Sequence, residues 1–189
     1  KLRIWATNEH NLVTIIITLL KVWKLKQLKQ TMSAGFKISL SISKKSDGSQ
    51  LFYKIDGERF KQNKTIKLHV DTVYKVNLEV LPANLEISNV SLSGINVDGT
   101  STKTDSQSSF TGTWSSGMVQ TTSKKVRTFL PLHVQFDNGS TIQTSLQCKL
   151  YALKDKTHVV WGTPLKCIEL KCNRREEVNT VSIDEVTFM

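Results

Sequence analysis

From Phe36 onward, apolar and polar positions alternate with a period of two. Phe36, Ile38, Leu40 and Ile42 are separated by Lys37, Ser39 and Ser41, as in a strand with one face in a core and the other in solvent. The same alternation carries Tyr74, Val76, Leu78 and Val80, and Pro82, which lacks a ladder donor, ends that strand. It is clearest over Thr141–Tyr151, where Ile142, Leu146, Cys148 and Leu150 share one face. Gln143, Ser145, Gln147 and Lys149 share the other. Further strand-like runs are 51–55, 85–92, 95–97, 109–114, 126–134, 157–161, 165–172 and 181–186. Ser46-Asp47-Gly48-Ser49 and Asp137-Asn138-Gly139-Ser140 read as turns. The second predicts a hairpin between 126–134 and Thr141–Tyr151, with Pro131 marking an edge strand or a bulge. The Ser-, Thr-, Asp- and Gly-rich stretch 98–109 predicts one mobile loop. About ten short strands, with no convincing helix after residue 31, predict an all-β domain over residues 32–189, a single antiparallel sandwich or barrel.

Residues 1–31 do not share this pattern. The apolar run 12–20 is followed by Lys21 and Lys24, and it is shorter than the ~20 residues a bilayer span needs. No small-residue cleavage site follows, so a signal peptide is not predicted. Lys24-Leu25-Lys26-Gln27-Leu28-Lys29 has the spacing of a basic amphipathic helix for a membrane surface or calmodulin, but it is short and uncapped. The chain begins with lysine, and Met32 is its first methionine. The expectation is therefore a natural start at Met32, with residues 1–31 a translated leader that is unstructured or an isolated helix.

The 189 residues are 39% hydrophobic and 22% charged, enough for one soluble core without disulfides or metal. The net charge of +10 divides evenly. Residues 1–31 hold six of the 26 basic and one of the 16 acidic groups, which leaves 20 and 15 in the body. A body only mildly basic, with its lysines spread singly, argues against nucleic acid. The three cysteines, Cys148, Cys167 and Cys172, cannot all pair and form no Cys-x-x-Cys unit, which suits buried free thiols in a reducing compartment. His10, His69, His133 and His158 lie apart, at no metal-binding spacing. No nucleophile elbow, phosphate loop or dinucleotide fingerprint is present. The expectation is a protein without catalytic residues, metal or cofactor, which works by binding through its interior, its loops or a sheet edge.

One stretch is far more specific than strand composition alone. Phe52-Tyr53-Lys54-Ile55-Asp56-Gly57-Glu58-Arg59-Phe60 runs on through Lys61-Gln62-Asn63-Lys64-Thr65-Ile66-Lys67-Leu68. Asp56-Gly57 predicts a tight two-residue hairpin turn, and a polar connection over residues 61–64 leads into a third strand. The wording closely resembles a block of the cannabinoid receptor-interacting protein family. The matching letters fall here on Phe52, Tyr53, Lys54, Asp56, Gly57, Arg59, Phe60, Gln62, Asn63 and Thr65. A second block matches at Trp161, Gly162, Thr163 and Pro164, followed by Ile168, Glu169 and Cys172. Tyr74-Lys75-Val76 and Thr111-Gly112-Thr113 fit in order between them. Glu58 occupies a variable position, and the loop 98–109 does not match cleanly.

The resemblance, which covers roughly residues 36–189, implies a fold similar to Rho GDP-dissociation inhibitors, whose interior takes a lipid chain. It also implies a non-catalytic, cytoplasmic adaptor, peripheral at the plasma membrane. Its partner would be the intracellular C-terminal tail of a G protein-coupled receptor similar to the type 1 cannabinoid receptor. The alternative is a carrier for a lipidated peptide, which needs an interior cavity. Phe52, Ile66, Leu68, Leu146 and Leu150 are the candidates for lining it. Thr187, Phe188 and Met189 fit the Ser/Thr-x-hydrophobic pattern of a PDZ-domain ligand, which adds as a strand to the PDZ sheet.

Overall fold

The computed structural model describes residues 15–21, 35–175 and 180–189. The chain falls into two units, Lys1–Ala34 and Gly35–Met189. In the first, residues 15–21 are helical, with Ile15, Ile16, Leu19 and Leu20 exposed. Among the described residues no helix is long and apolar enough to cross a membrane. The basic stretch 24–29 and the start at Met32 lie outside the described residues.

The second unit is built from strands. In chain order they are β1 (Phe36–Lys44), β2 (Leu51–Ile55), β3 (Lys64–His69), β4 (Val73–Leu81), β5 (Ile87–Leu92) and β6 (Ile95–Asn96). Then come β7 (Asp98–Lys103), β8 (Ser108–Ser115), β9 (Thr128–Phe136), β10 (Thr141–Tyr151), β11 (Thr163–Leu165), β12 (Ile168–Arg175) and β13 (Thr180–Phe188). One sheet runs β7-β8-β4-β1-β12-β13, and the other runs β11-β2-β3-β10-β9-β5-β6. They touch in the ladder at a single parallel register, Thr141 of β10 opposite Thr180 of β13. The arrangement is an open sandwich, not a closed barrel, and β10 also runs parallel to β3, so the pairing is mixed.

Period two produces these faces. In β1, Phe36, Ile38, Leu40 and Ile42 are buried while the residues between them stay partly exposed, and β4 repeats the pattern in register. The inward side chains of both sheets form one core, in which Phe36 meets Phe136 edge-on at 5.9 Å. Tyr74 stacks on Trp114 at 5.8 Å. Each fully buried aliphatic or aromatic side chain contributes roughly 1.5–3 kcal/mol.

Four local expectations need correction. Residues 98–103 are not a mobile loop but strand β7, on the sheet edge beside β8. Its residues are polar and mostly exposed, so no apolar alternation announces it. Gly99 and Gly112 face each other there, and a Cβ on Gly99 would lie 2.5 Å from Thr111 O. Residues 158–160 form a 3₁₀ turn rather than part of a strand, because the Asp155 carboxylate accepts the Thr157 and His158 amides. Pro131 lies neither on an edge strand nor in a bulge, since β9 is flanked by β10 and β5. It sits one residue past the last β5 pair, Leu92 with Leu132, and its carbonyl accepts Ser93 N where the chain turns away. The missing donor therefore faces no strand. Finally, β2 and β3 do form the expected hairpin, but Asp56-Gly57 is not its whole turn. Gly57 has the positive φ (+67°), and the chain then makes a 3₁₀ turn over Gly57–Arg59 before residues 60–63 return it to β3.

Candidate functional site

The connection between β2 and β3 has a polar anchor on the inside. Asp56 follows β2, and its side chain is 2% exposed. Arg127, just before β9, binds it in a fork, Nε to Oδ2 at 2.8 Å and Nη2 to Oδ1 at 3.0 Å. Thr65 Oγ1 donates to Oδ2 at 2.6 Å, and Lys54 Nζ lies 3.5 Å from Oδ1. Burial alone would raise the Asp56 carboxyl, but the hydrogen bonds from Arg127 and Thr65 and the two nearby cations outweigh it, so its pKa is lowered. The Arg127 guanidinium also lies over the Phe60 ring, 4.4 Å from its centroid. Asp56 N closes the loop on Asn63 O at 2.7 Å.

Gln62 completes the anchor. Strand β10 has one edge that meets β3 from Cys148 to Tyr151 and meets β13 only at Thr141. Between those points the Gln62 side chain stands in for a neighbouring strand, since its amide donates to Ser145 O at 2.8 Å and accepts Gln147 N at 3.1 Å. The buried Gln147 amide binds both backbone groups of Gln62 and donates to Thr65 Oγ1. Every buried polar atom of this cluster that is named here has a partner, as buried polar networks require.

Because β10 and β13 part after one rung, an apolar groove of about 590 Å³ opens between them. Its walls include Ile55, Phe60, Leu146, Leu170, Val186 and Phe188. Leu170 and Leu146 also belong to the core, whereas Val186 is 45% exposed at the rim. Phe188 packs against Tyr53 at 5.2 Å and under Lys64 Nζ at 5.0 Å. The enclosure suits an aliphatic chain or an apolar side chain.

On the other side of the Asp56–Arg127 pair lies a second pocket of about 430 Å³, bordered by Lys54, Lys67, Arg127, Lys149, Tyr151 and Trp161. Lys67 is 6% exposed, and its ammonium donates to His158 O at 2.6 Å. Burial, then the charges of Lys54 and Arg127, lower its pKa. Burial and Arg127 do the same to Lys149, which also holds Thr122 O and Ser123 O.

The two sequence blocks, about a hundred residues apart, are neighbours in the fold. β11 pairs with β2, setting Thr163 opposite Tyr53 and Pro164 opposite Phe52. Gly162 has φ +125°, and a Cβ there would lie 2.3 Å from Tyr53 O, so a side chain cannot be accommodated. Trp161 is 62% exposed and packs on the His158 ring at 4.9 Å. Asp56, Phe60, Gln62, Asn63 and Thr65 are thus brought together, with Tyr53 beside Phe188. Arg59 lies in the 3₁₀ turn, and its side chain is outside the described set.

Of the interior candidates, Leu146 reaches the groove, while Ile66, Leu68 and Leu150 sit in the packed core and Phe52 is only half-buried. Thr187 and Phe188 are paired with Glu169 and Ile168 of β12. Met189 continues this contact, exchanging backbone hydrogen bonds with Cys167 and accepting Lys166 N at 2.7 Å. Sequence reasoning missed Arg127, Gln147, Lys67, Val186 and Leu170. Gln147 alone carried a signal, as a polar position on the most regular strand.

Residues 32–188 match the model of the family described as CB1 cannabinoid receptor-interacting protein 1. The proteins called CB1 cannabinoid receptor-interacting protein 1 from Bos taurus and Homo sapiens are each 30% identical to this chain over 156 residues, 81% of it and 95% of theirs. The Rattus norvegicus protein of the same name is 28% identical over the same shares.

Proposed function

The chain belongs to the CB1 cannabinoid receptor-interacting protein 1 family, and on that premise we propose that it is a non-catalytic adaptor for the intracellular C-terminal tail of a G protein-coupled receptor. Its place would be the cytoplasm, at the inner face of the plasma membrane. The names of its relatives support the receptor as partner class. The observation that carries the reading is geometric. The family-like block builds a wall, Asp56 to Thr65, hydrogen-bonded to Arg127 and Gln147, beside a groove of about 590 Å³. A locked wall beside a preformed cavity favours binding, because little ordering entropy remains to be lost.

The apolar lining of that groove favours a second reading alongside the first, a carrier that takes the lipid chain of a modified partner. A PDZ domain could engage Thr187, Phe188 and Met189 only after they leave β12, so we assign Phe188 to the groove wall instead. Affinity capture on receptor-tail peptides, with and without an acyl or prenyl chain, tests both. Equal retention on both forms supports the adaptor, and retention on the lipidated form alone supports the carrier. Retention no better than on scrambled tails would overturn both.

A further inference from the structure

The basic pocket has no part in either reading, yet it has the features of a built anion site. Lys67 is more than nine-tenths buried. Its ammonium has three donors and one partner among the described residues, His158 O. Among the described residues no carboxylate forms an ion pair with it: Asp56 is held by Arg127, Thr65 and Lys54, and Asp155 by His158. Keeping a buried cation without a counter-ion is costly. Lys54 and Lys149 border the same cavity. Lys67 and Lys149 lie 5.8 and 5.9 Å from the Tyr151 ring centroid, and Trp161 supplies a second aromatic wall.

We propose that this pocket is a binding site for a phosphotyrosine side chain presented by a peptide. A phosphoryl group brings nearly two negative charges and three acceptor oxygens, a match for three lysine ammonium groups that point charges rather than a planar fork. The recessed Lys67 calls for a long side chain, and the Tyr151 and Trp161 walls accept its ring. With Lys67 only 6% exposed, a projecting side chain fits better than the headgroups of a flat membrane surface. The assignment goes beyond the receptor and lipid readings and requires neither, since the apolar groove lies across the Asp56–Arg127 pair from it.

The test is titration of the full chain, followed by peptide fluorescence anisotropy. The probes are a short degenerate peptide pool with a central phosphotyrosine, the same pool with tyrosine or phosphoserine, and vesicles of phosphatidylcholine with or without phosphatidylserine. The phosphotyrosine pool is expected to bind at least about tenfold more tightly than the other two, as loss of charge-assisted hydrogen bonds implies. Inorganic phosphate alone is expected to displace it. Lys67→Met should weaken binding by a similar factor, with folding checked by thermal unfolding. The exposed variants Lys54→Gln and Trp161→Ala should weaken it without loss of fold, while Val186→Glu, at the groove rim, should leave it unchanged. Equal binding of tyrosine or phosphoserine pools would overturn the assignment. So would insensitivity to both exposed variants, failure of phosphate to compete, or capture only by phosphatidylserine vesicles.

Discussion

Gln62 and Gln147 each use a side-chain amide to satisfy the other's backbone. Gln147 Oε1 accepts Gln62 N and its Nε2 donates to Gln62 O, while Gln62 Oε1 accepts Gln147 N. Gln62 thereby closes the stretch of β10 edge between its β3 and β13 pairings. Gln147→Leu leaves the half-buried Gln62 N and O without their partners and removes one donor from Thr65 Oγ1, and a loss of about 2–3 kcal/mol is expected. Gln62→Ala should behave alike, and the double variant should lose less than the sum of the two. Denaturant unfolding of the four proteins measures this, and strictly additive losses would show that the pair does not act as a unit.

The Asp56–Arg127 fork makes a statement about pH. The folded carboxyl lies below its ordinary value of 3.8, so its contribution to stability is fully present above that value and is lost as pH falls through the lower, folded one. Arg127→Met strands a buried carboxylate and should cost roughly 3 kcal/mol near neutral pH. With the largest lowering cause removed and only Thr65 and Lys54 left, the variant should also lose less stability than the parent on acidification below the ordinary value. Unfolding midpoints across an acid series decide it; parallel curves for the two proteins would refute the linkage.

Val186 projects at the groove rim and is 45% exposed, so a charge there is tolerated by the fold. Val186→Glu should shift stability by no more than about 0.5 kcal/mol. It should weaken retention of an acylated peptide about tenfold or more, because a carboxylate would have to be desolvated beside the chain. Equilibrium binding of labelled acyl peptide to the two proteins gives the answer, and unaltered affinity would remove the groove from the binding account.

The three cysteines should differ sharply in reactivity. Burial raises the Cys148 thiol far above its ordinary value and pushes Cys172 up to about 12, whereas Cys167 is only partly buried. Native alkylation at mildly alkaline pH should therefore label Cys167 first, with Cys148 and Cys172 labelled only on unfolding. Peptide mass mapping with and without denaturant checks the order.

The strands with one apolar face were legible because alternation is a local signal: β1, β4 and β10 could be read residue by residue. The all-polar edge strand β7 was not, since nothing in residues 98–103 distinguishes a strand from a solvated loop until Gly112 is placed against Gly99. The 3₁₀ turn at 158–160 was hidden for a different reason: its apolar residues imitate a strand, and only the Asp155 carboxylate, which accepts the Thr157 and His158 amides, reveals the turn. At the candidate site, the loop Asp56 to Thr65 stood out by its wording, but its partners did not. Arg127 lies 71 residues from Asp56 and Gln147 lies 85 from Gln62. Partners that distant leave no trace in local pattern. The same holds for the lysines of the basic pocket, which sit singly in sequence and converge only when β2, β3 and β10 come side by side.

A lone rung between Thr141 and Thr180 means that the two halves of the sandwich are riveted rather than zipped at that seam. Wedging them apart to admit a thicker guest would break that one backbone pair, while every long ladder in either sheet, and the glutamine clasp that ties residue 62 to β10, stays whole. The seam is thus the line along which least backbone pairing resists a guest.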